Sequence, residues 1–291
     1  MRPVDCHVHL YPPATGEGPA SWAAARGEEH WAVLCTRRRA DGSPVQLFPT
    51  VDALLREMDA AGIARSVLLG WYWEKHETCV EQNRFYSRCL HTHPDRLSAF
   101  ATLHPAAGPR ALDEVRWARQ AGFLGLGELS PHSQHVAPDD PSWRAVLALA
   151  GELDLPVNLH VTDPQSRPFP GRVDTPRADF LAMAREYPQT EFIFAHWGGG
   201  LVFTPEGAAL PNVWYDTAAS PLLYAPEVWA KAVAAVPAER LLFGSDHPLR
   251  LYPRRLGGSG LAELVREARE ALPESARTAV LAANAVRLLG L

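Results

Sequence analysis

The reading of the fold turns on Pro3-Val4-Asp5-Cys6-His7-Val8-His9 (PVDCHVH, residues 3–9), a short apolar run closing on two histidines. Read as the first strand of an α/β chain, its period-two alternation sends His7 and His9 to one face and Cys6 and Val8 to the other. The rival architecture, an open doubly wound sheet, typically carries a glycine-rich phosphate turn after its first strand. Here that turn is histidine-rich. Two imidazoles on one face at this spacing suit a shared ion, at about 2.0–2.1 Å from each nitrogen.

Working outward, short apolar runs alternate with amphipathic helical stretches. Residues 50–61 (TVDALLREMDAA) have apolar positions at helical spacing, with Thr50 as N-cap and Gly62 as stop. Strands are expected at 65–70, 97–103, 123–129, 157–161, 191–195, 213–216 and 241–243. Helices are expected at 77–92, 109–121, 141–153, 176–187, 226–235, 260–271 and 274–289. Eight strands in strict alternation with helices predict a distorted (β/α)₈ barrel, one domain over residues 1–291. Two irregularities stand out. Residues 10–48 form a long insertion rich in Pro, Gly, Arg and Trp, expected to act as a lid or an oligomer arm. The link between strands six and seven (GGGLVFTPEGAALP) is too short and broken for an ordinary helix.

Bulk properties exclude several classes. A net charge of −5 over 291 residues gives no reason to expect nucleic-acid or membrane partners. No apolar run approaches the ~18 residues of a spanning helix, and the chain enters its first strand at once, so we read no signal peptide. The four cysteines (Cys6, Cys35, Cys79 and Cys89) show neither CxxC spacing nor a secreted ladder. Together these features predict a cytoplasmic protein acting on a small molecule, with a homodimer reasonable given the insertion and the tryptophans.

Barrel enzymes keep their chemistry at the C-terminal ends of the strands. His7 and His9 end strand one, His160 strand five, His196 strand six and Asp246 strand eight. Closure brings strands one and eight together, with five and six facing them across the mouth. A lone strand-end histidine is ordinarily a hydrogen-bonded structural residue, and Asp246 alone reads as a helix N-cap. As a convergent set, His7, His9, His160 and Asp246 are expected to hold a divalent ion, with His196 in the same site as ligand or proton-transfer group. Glu128, ending strand four, is expected either at a second ion or at the substrate, or else as a buried structural carboxylate. His104, Trp71, Tyr72, Trp73 and Trp197 are candidate substrate-lining residues. Arg37, Arg38 and Arg39 in the insertion, and Arg167 and Arg172 after strand five, are candidate carboxylate clamps. His247, next to Asp246, is expected to point away.

DxHxH at Asp5–His9, NLH at Asn158–His160, AHWGG at Ala195–Gly199, GSDHP at Gly244–Pro248 and the terminal NAVRLLGL resemble the amidohydrolase superfamily. More narrowly, they resemble its amidohydrolase-related branch, which includes aminocarboxymuconate-semialdehyde decarboxylase, resorcylate-type decarboxylases and lactonases of small dicarboxylates. The resemblance spans the chain. It implies a distorted barrel with one divalent ion, zinc first and manganese second. It also implies His7, His9, His160 and Asp246 as ligands, and His196 as the group that orients or deprotonates water. The carboxylated lysine bridge of binuclear relatives has no counterpart, because the only lysines, Lys75 and Lys231, lie off strand four. The reaction expected from this set is hydrolysis of a small ester, lactone or amide carrying a carboxylate. Asp246 would accept the proton of a metal-activated water. Non-oxidative decarboxylation of an aromatic or dienoic acid is the second expectation.

Overall fold

A computed structural model describes residues 1–255 and 257–291. Eight parallel strands lie side by side in chain order: β1 Val4–Val8, β2 Arg65–Leu69, β3 Leu97–Ala101, β4 Gly125–Leu129, β5 Val157–Leu159, β6 Phe192–Phe194, β7 Val213–Asp216 and β8 Leu241–Leu242. The sheet closes on itself at the β8–β1 seam. Cys6 N–H donates to Phe243 O at 2.8 Å, Asp246 N–H to His7 O at 2.9 Å and His9 N–H to His247 O at 2.6 Å. This is an α/β TIM barrel. Nearly every strand residue is buried, as required where a parallel sheet is covered on both faces.

The helices follow their local signals. Val51–Ala61 starts where Thr50 Oγ1 accepts the Ala53 N–H and stops at Gly62, whose φ of 70° a side chain would resist. Asp140 caps Pro141–Glu152 through the Ser142 and Trp143 amides. The expected C-terminal helix at 274–289 is divided into Glu274–Thr278, a π-helical stretch Ala279–Ala283, and Asn284–Leu289. Asn284 occupies the end of that stretch and donates to Ala238 O and Leu241 O, both at 2.7 Å, fastening it under β8.

Several segments differ from the expected outlines. Strand five was expected to run to residue 161 and strand six from 191 to 195, whereas β5 stops at Leu159 and β6 at Phe194. Beyond Phe194, residues His196 to Gly200 all have positive φ, from 56° to 85°, and make one left-handed turn. That costs energy for His196 and Trp197, which carry a Cβ. The insertion, which periodicity alone left without a structure, folds into three short helices, Pro13–Glu17, Pro19–Arg26 and Glu29–Cys35. Trp22 and Trp31 pack there with Tyr11, Trp71 and Trp73 into a separate aromatic cluster.

At the seam, Gly244 is held from both sides by Thr217, whose Oγ donates to Gly244 O and accepts from Gly244 N–H, each at 2.9 Å. A Cβ placed there would lie 2.8 Å from His7 Cβ. With its backbone pinned, Gly244 cannot retreat. We therefore expect Gly244→Ala to cost on the order of 1–3 kcal/mol in denaturant unfolding, the usual range for overpacking. An unchanged unfolding midpoint would show that the β1–β8 seam has slack at His7.

Candidate metal centre

His7 and His9 project from the end of β1, and their Nε2 atoms lie 3.2 Å apart. The outer nitrogen of each ring is committed: His7 Nδ1 is 2.8 Å from Asp216 Oδ2, and His9 Nδ1 is 3.0 Å from Leu69 O. A carboxylate and a carbonyl only accept, so both Nδ1 atoms carry the proton and both Nε2 lone pairs face inward. The second pair repeats the pattern. His196 Nδ1 is 3.2 Å from Ala218 O, while its Nε2 is 3.1 Å from His160 Nδ1. Thr162 spends its hydroxyl proton on Val173 O, so its oxygen, 3.3 Å from His160 Nε2, accepts from that ring.

Two carboxylates connect these pairs. Glu128 Oε1 lies 3.0 Å from His160 Nδ1 and 3.2 Å from His196 Nε2. Its Oε2 lies 3.6 Å from His9 Nε2 and 3.9 Å from His7 Nε2. Asp246 Oδ1 faces His9 and His7 at 3.5 and 3.7 Å, and its Oδ2 faces His196 Nδ1 at 3.7 Å. Within each of two triplets, His7–His9–Asp246 and Glu128–His160–His196, the possible ligand atoms all lie within 4.8 Å of one another. His160 therefore groups with Glu128 and His196, not with the β1 histidines.

The donor chemistry fits divalent cations. Opposed imidazole lone pairs at 3.1–3.2 Å repel unless positive charge sits between them, and neutral imidazole with carboxylate is an ordinary ligand set for zinc or manganese. The titration behaviour agrees. Burial would lower His9 and His196, yet hydrogen bonds and charge from Glu128 and Asp246 carry them up to about 9 and about 10. Burial likewise works to raise Glu128, but His160 and His7 hold it well below the usual carboxylate range. For His160, burial prevails and the pKa falls. Without a cation, protons supply the positive charge that the carboxylates call for.

Several residues that sequence reasoning missed build this arrangement. Asp216, ending β7, binds His7 through Oδ2 and also accepts from Asn158 Nδ2 at 2.9 Å. Its Oδ1 takes the His196 and Ala218 amides at 3.1 and 3.0 Å, which holds the left-handed turn in place. Asp5 accepts from Ser245 N–H at 2.9 Å and Ser245 Oγ–H at 2.6 Å, tying the DxHxH strand to the GSD turn. The one available signal for Asp216 was its position at a strand end.

Above the centre opens a cavity of about 1140 Å³, whose lining includes Glu128, His160, His196 and Asp246. Trp71, Tyr72, Arg37, Arg38, Arg39, Arg167 and Arg172 also line it. Trp71 stacks on Tyr72 at 4.4 Å and meets the His9 ring at 5.2 Å. Other candidates lie elsewhere. Trp73 is sealed in the aromatic cluster with its indole N–H on Gln82. Trp197 is buried under the left-handed turn, its N–H on Ser220 and its ring against Trp229. His104 stands before the turn Pro105–Ala107, outside the lining. His247 is buried beside Glu57, 3.8 Å away and off the centre.

A parallel barrel with metal-type side chains gathered at its strand ends defines a metal-dependent α/β-barrel enzyme. The chain belongs to the Amidohydrolase family, whose sequence profile matches residues 4–291. It is similar in structure to 2,6-dihydroxybenzoate decarboxylase from Rhizobium, at 20% identity and a TM-score of 0.67, covering 100% of this chain and 99% of that one. It is also similar to 5-carboxyvanillate decarboxylase from Novosphingobium aromaticivorans, complexed with manganese and 4-hydroxy-3-methoxy-5-nitrobenzoic acid (14% identity, TM-score 0.77, 100% and 96% covered). A third similar structure is a probable 2-pyrone-4,6-dicarboxylic acid hydrolase from Acinetobacter baumannii with citric acid bound (15% identity, TM-score 0.66, 100% of both chains). At these identities the likeness shows the fold. A search of curated proteins finds no match. No helix among the described residues is long and apolar enough to cross a membrane.

Asp216→Asn tests the outer hydrogen-bond layer. It keeps the shape but removes the charge that holds His7 in its tautomer. Zinc affinity by chelator competition is expected to fall about 10- to 100-fold, the usual loss for such partners, with far-UV circular dichroism unchanged. Undiminished affinity would show that His7 orients without Asp216.

Proposed function

We propose that this chain is a hydrolase of a small ester, lactone or amide, working with two divalent ions rather than the single ion expected from sequence. The observation that carries the reading is Glu128, whose two oxygens face different histidine pairs. His7, His9 and Asp246 would hold one ion and His160 and His196 the other, with Glu128 between them. Four imidazoles favour zinc, and manganese, present in the Novosphingobium relative, is the second choice. Bound there, such ions supply Lewis acidity, lowering the pKa of a water toward about 7 and polarising a carbonyl oxygen.

The chain's own groups do the rest. Asp246 faces His7, His9 and His196 at 3.5–3.7 Å and lines the cavity. It accepts the proton of the attacking water and returns it to the leaving oxygen or nitrogen. His196 has its Nδ1–H on Ala218 O and its Nε2 turned inward, which suits a ligand better than a proton carrier. Trp71 and Tyr72 form a flat wall for the substrate.

A second reading, non-oxidative decarboxylation of an aromatic or dienoic acid, draws support from the names of the Rhizobium and Novosphingobium relatives. Those names favour it over hydrolysis, while the shared Glu128 favours hydrolysis.

Elemental mass spectrometry on untagged protein is expected to find about two ions per chain, and about one in Glu128→Gln. A single ion in both proteins would return Glu128 to a structural or substrate role. Asp246→Asn is expected to lower kcat about 10²- to 10⁴-fold, the contribution of a positioned general base. Full activity in that variant would remove Asp246 from the chemistry. Parallel panels of lactones, esters and amides on one side and hydroxybenzoates on the other separate the two readings. Carbon dioxide release with no hydrolysis would establish the second.

A further inference from the structure

The lining of the cavity is divided by chemistry. Its arginines come from the insertion and the loop after β5, apart from Arg254 and Arg255, which are exposed. The loop after β7 and the segment after β8, as far as Pro253, contribute carbon instead. Pro221, Leu222 and Leu223 line the cavity from the first, and Leu249, Leu251 and Tyr252 from the second. The polar groups on this side are already committed. Tyr224 donates its hydroxyl to Asp163 Oδ2, and Tyr252 donates to Glu267 Oε2 at 2.9 Å. Glu267 Oε1 accepts the Trp229 indole N–H at 3.1 Å. What these two loops present to the cavity is therefore hydrocarbon: Leu222 is 38% exposed, and Leu223 and Leu249 are half-buried.

Both walls start at the metal centre. Ala219 N–H donates to Ser245 O at 3.3 Å, and Leu249 N–H to Asp246 O at 3.0 Å. The second wall is held further by residues 45–47: Leu47 N–H donates to Pro248 O at 3.0 Å, Arg250 N–H to Val45 O at 3.1 Å, and Gln46 pairs with Leu249. Glu267, on the helix Leu261–Ala271, ties the two walls together. One of its donors, Trp229, belongs to the helix Val228–Ala235 that follows the first loop, and the other, Tyr252, to the second. The apolar surface is thus fixed relative to Asp246 by hydrogen bonds within the fold. The cavity of about 1140 Å³ also lies just above the usual ~300–1,000 Å³ of small-molecule sites, so a short acyl group at the ions would leave this side unfilled.

We propose that the wall built by the loops after β7 and β8 is a subsite for an aliphatic substituent of the substrate, adjoining the bond at which Asp246 acts. The inference rests on the hydrolase reading and narrows its substrate to an ester, lactone or amide with a hydrocarbon group of several carbons. Hydrocarbon suits this wall because a preformed apolar surface gains by removing carbon from water, in proportion to the area covered. A charged or hydroxylated group there would lose its hydration without gaining a partner, since the Tyr224 and Tyr252 hydroxyls and both Glu267 oxygens are taken.

The test uses acetohydroxamate, butanohydroxamate and hexanohydroxamate, which anchor to a metal ion identically and differ only in chain length. Calorimetry on zinc-loaded wild-type protein is expected to show affinity rising about three- to fourfold for each added methylene. Leu223→Gln and Leu249→Gln are each expected to weaken hexanohydroxamate about tenfold while leaving acetohydroxamate unchanged. Leu222→Gln, at an exposed position that the fold does not need filled, is expected to weaken it in the same direction and serves if either of the others fails to fold. Leu34→Gln, on the insertion's side of the cavity, is expected to keep the full gradient. Equal affinity along the series in the wild type would overturn the subsite and leave the metal centre standing. So would a gradient that survives in the β7 and β8 loop variants but is lost in Leu34→Gln. A gradient in the expected variants, with no turnover of butanoate or hexanoate esters, would support the subsite and overturn the hydrolase reading. Failure of all three hydroxamates to bind zinc-loaded protein would overturn the metal-centre reading and the subsite with it.

Discussion

Two pairs of imidazoles, each with lone pairs opposed at 3.1–3.2 Å, set the terms for the rest of this molecule. Nothing in an apolar core stabilises such a pair, and burial strips away the water that would. What keeps the rings in place is the outer nitrogen of each one, fixed by Asp216, Leu69 O, Ala218 O or Thr162. Those four acceptors come from β7, the end of β2, and the loops after β7 and β5. The barrel is the frame that holds acceptors from such distant parts of the chain in register.

That frame contains its own tensions. Asp216 is fully buried, which works to raise its pKa, yet His7, His196 and the Ala218 amide hold it below the usual value. Asp5 is buried to the same degree with fewer cationic neighbours, and burial pushes it up to about 6 despite its bonds to Ser245 and His7. His196, Trp197 and Asp246 all adopt positive φ. Unfavourable backbone of this kind persists only where its surroundings over-determine it, and here Asp216 receives the His196 amide while His7 O receives the Asp246 amide.

Much of this was legible in the residues. Alternation of apolar runs and helices located all eight strands, and Thr50, Gly62 and Pro141 marked helix ends, because those signals act locally. The metal-type side chains were visible because strand-end positions in a barrel point to one mouth. The grouping was not visible: which histidine shares a carboxylate with which depends on strand register and on the left-handed turn at His196–Gly200, and neither has a local signature. Asp216 escaped notice because VWYD reads as any strand ending in an acid. The aromatic roles of Trp73 and Trp197 depended on which side of a loop faces the cavity, and composition is silent on that. The insertion was opaque because its helices are short, and their order comes from the tryptophan cluster against Trp71 and Trp73 rather than from periodicity.

The pairing of residues 45–47 with 248–250 also bears on how this scaffold could be re-engineered. Loop grafting on barrels treats each strand-end loop as an exchangeable part, with specificity moving alongside it. Here the first loop is stitched by backbone hydrogen bonds to the segment that follows the eighth strand. A chimera that swapped 10–48 alone would leave the Arg250 amide and the Pro248 carbonyl without their partners, one step from Asp246. The unit of exchange in this protein is the two segments together, some 200 residues apart in the chain and adjacent in space.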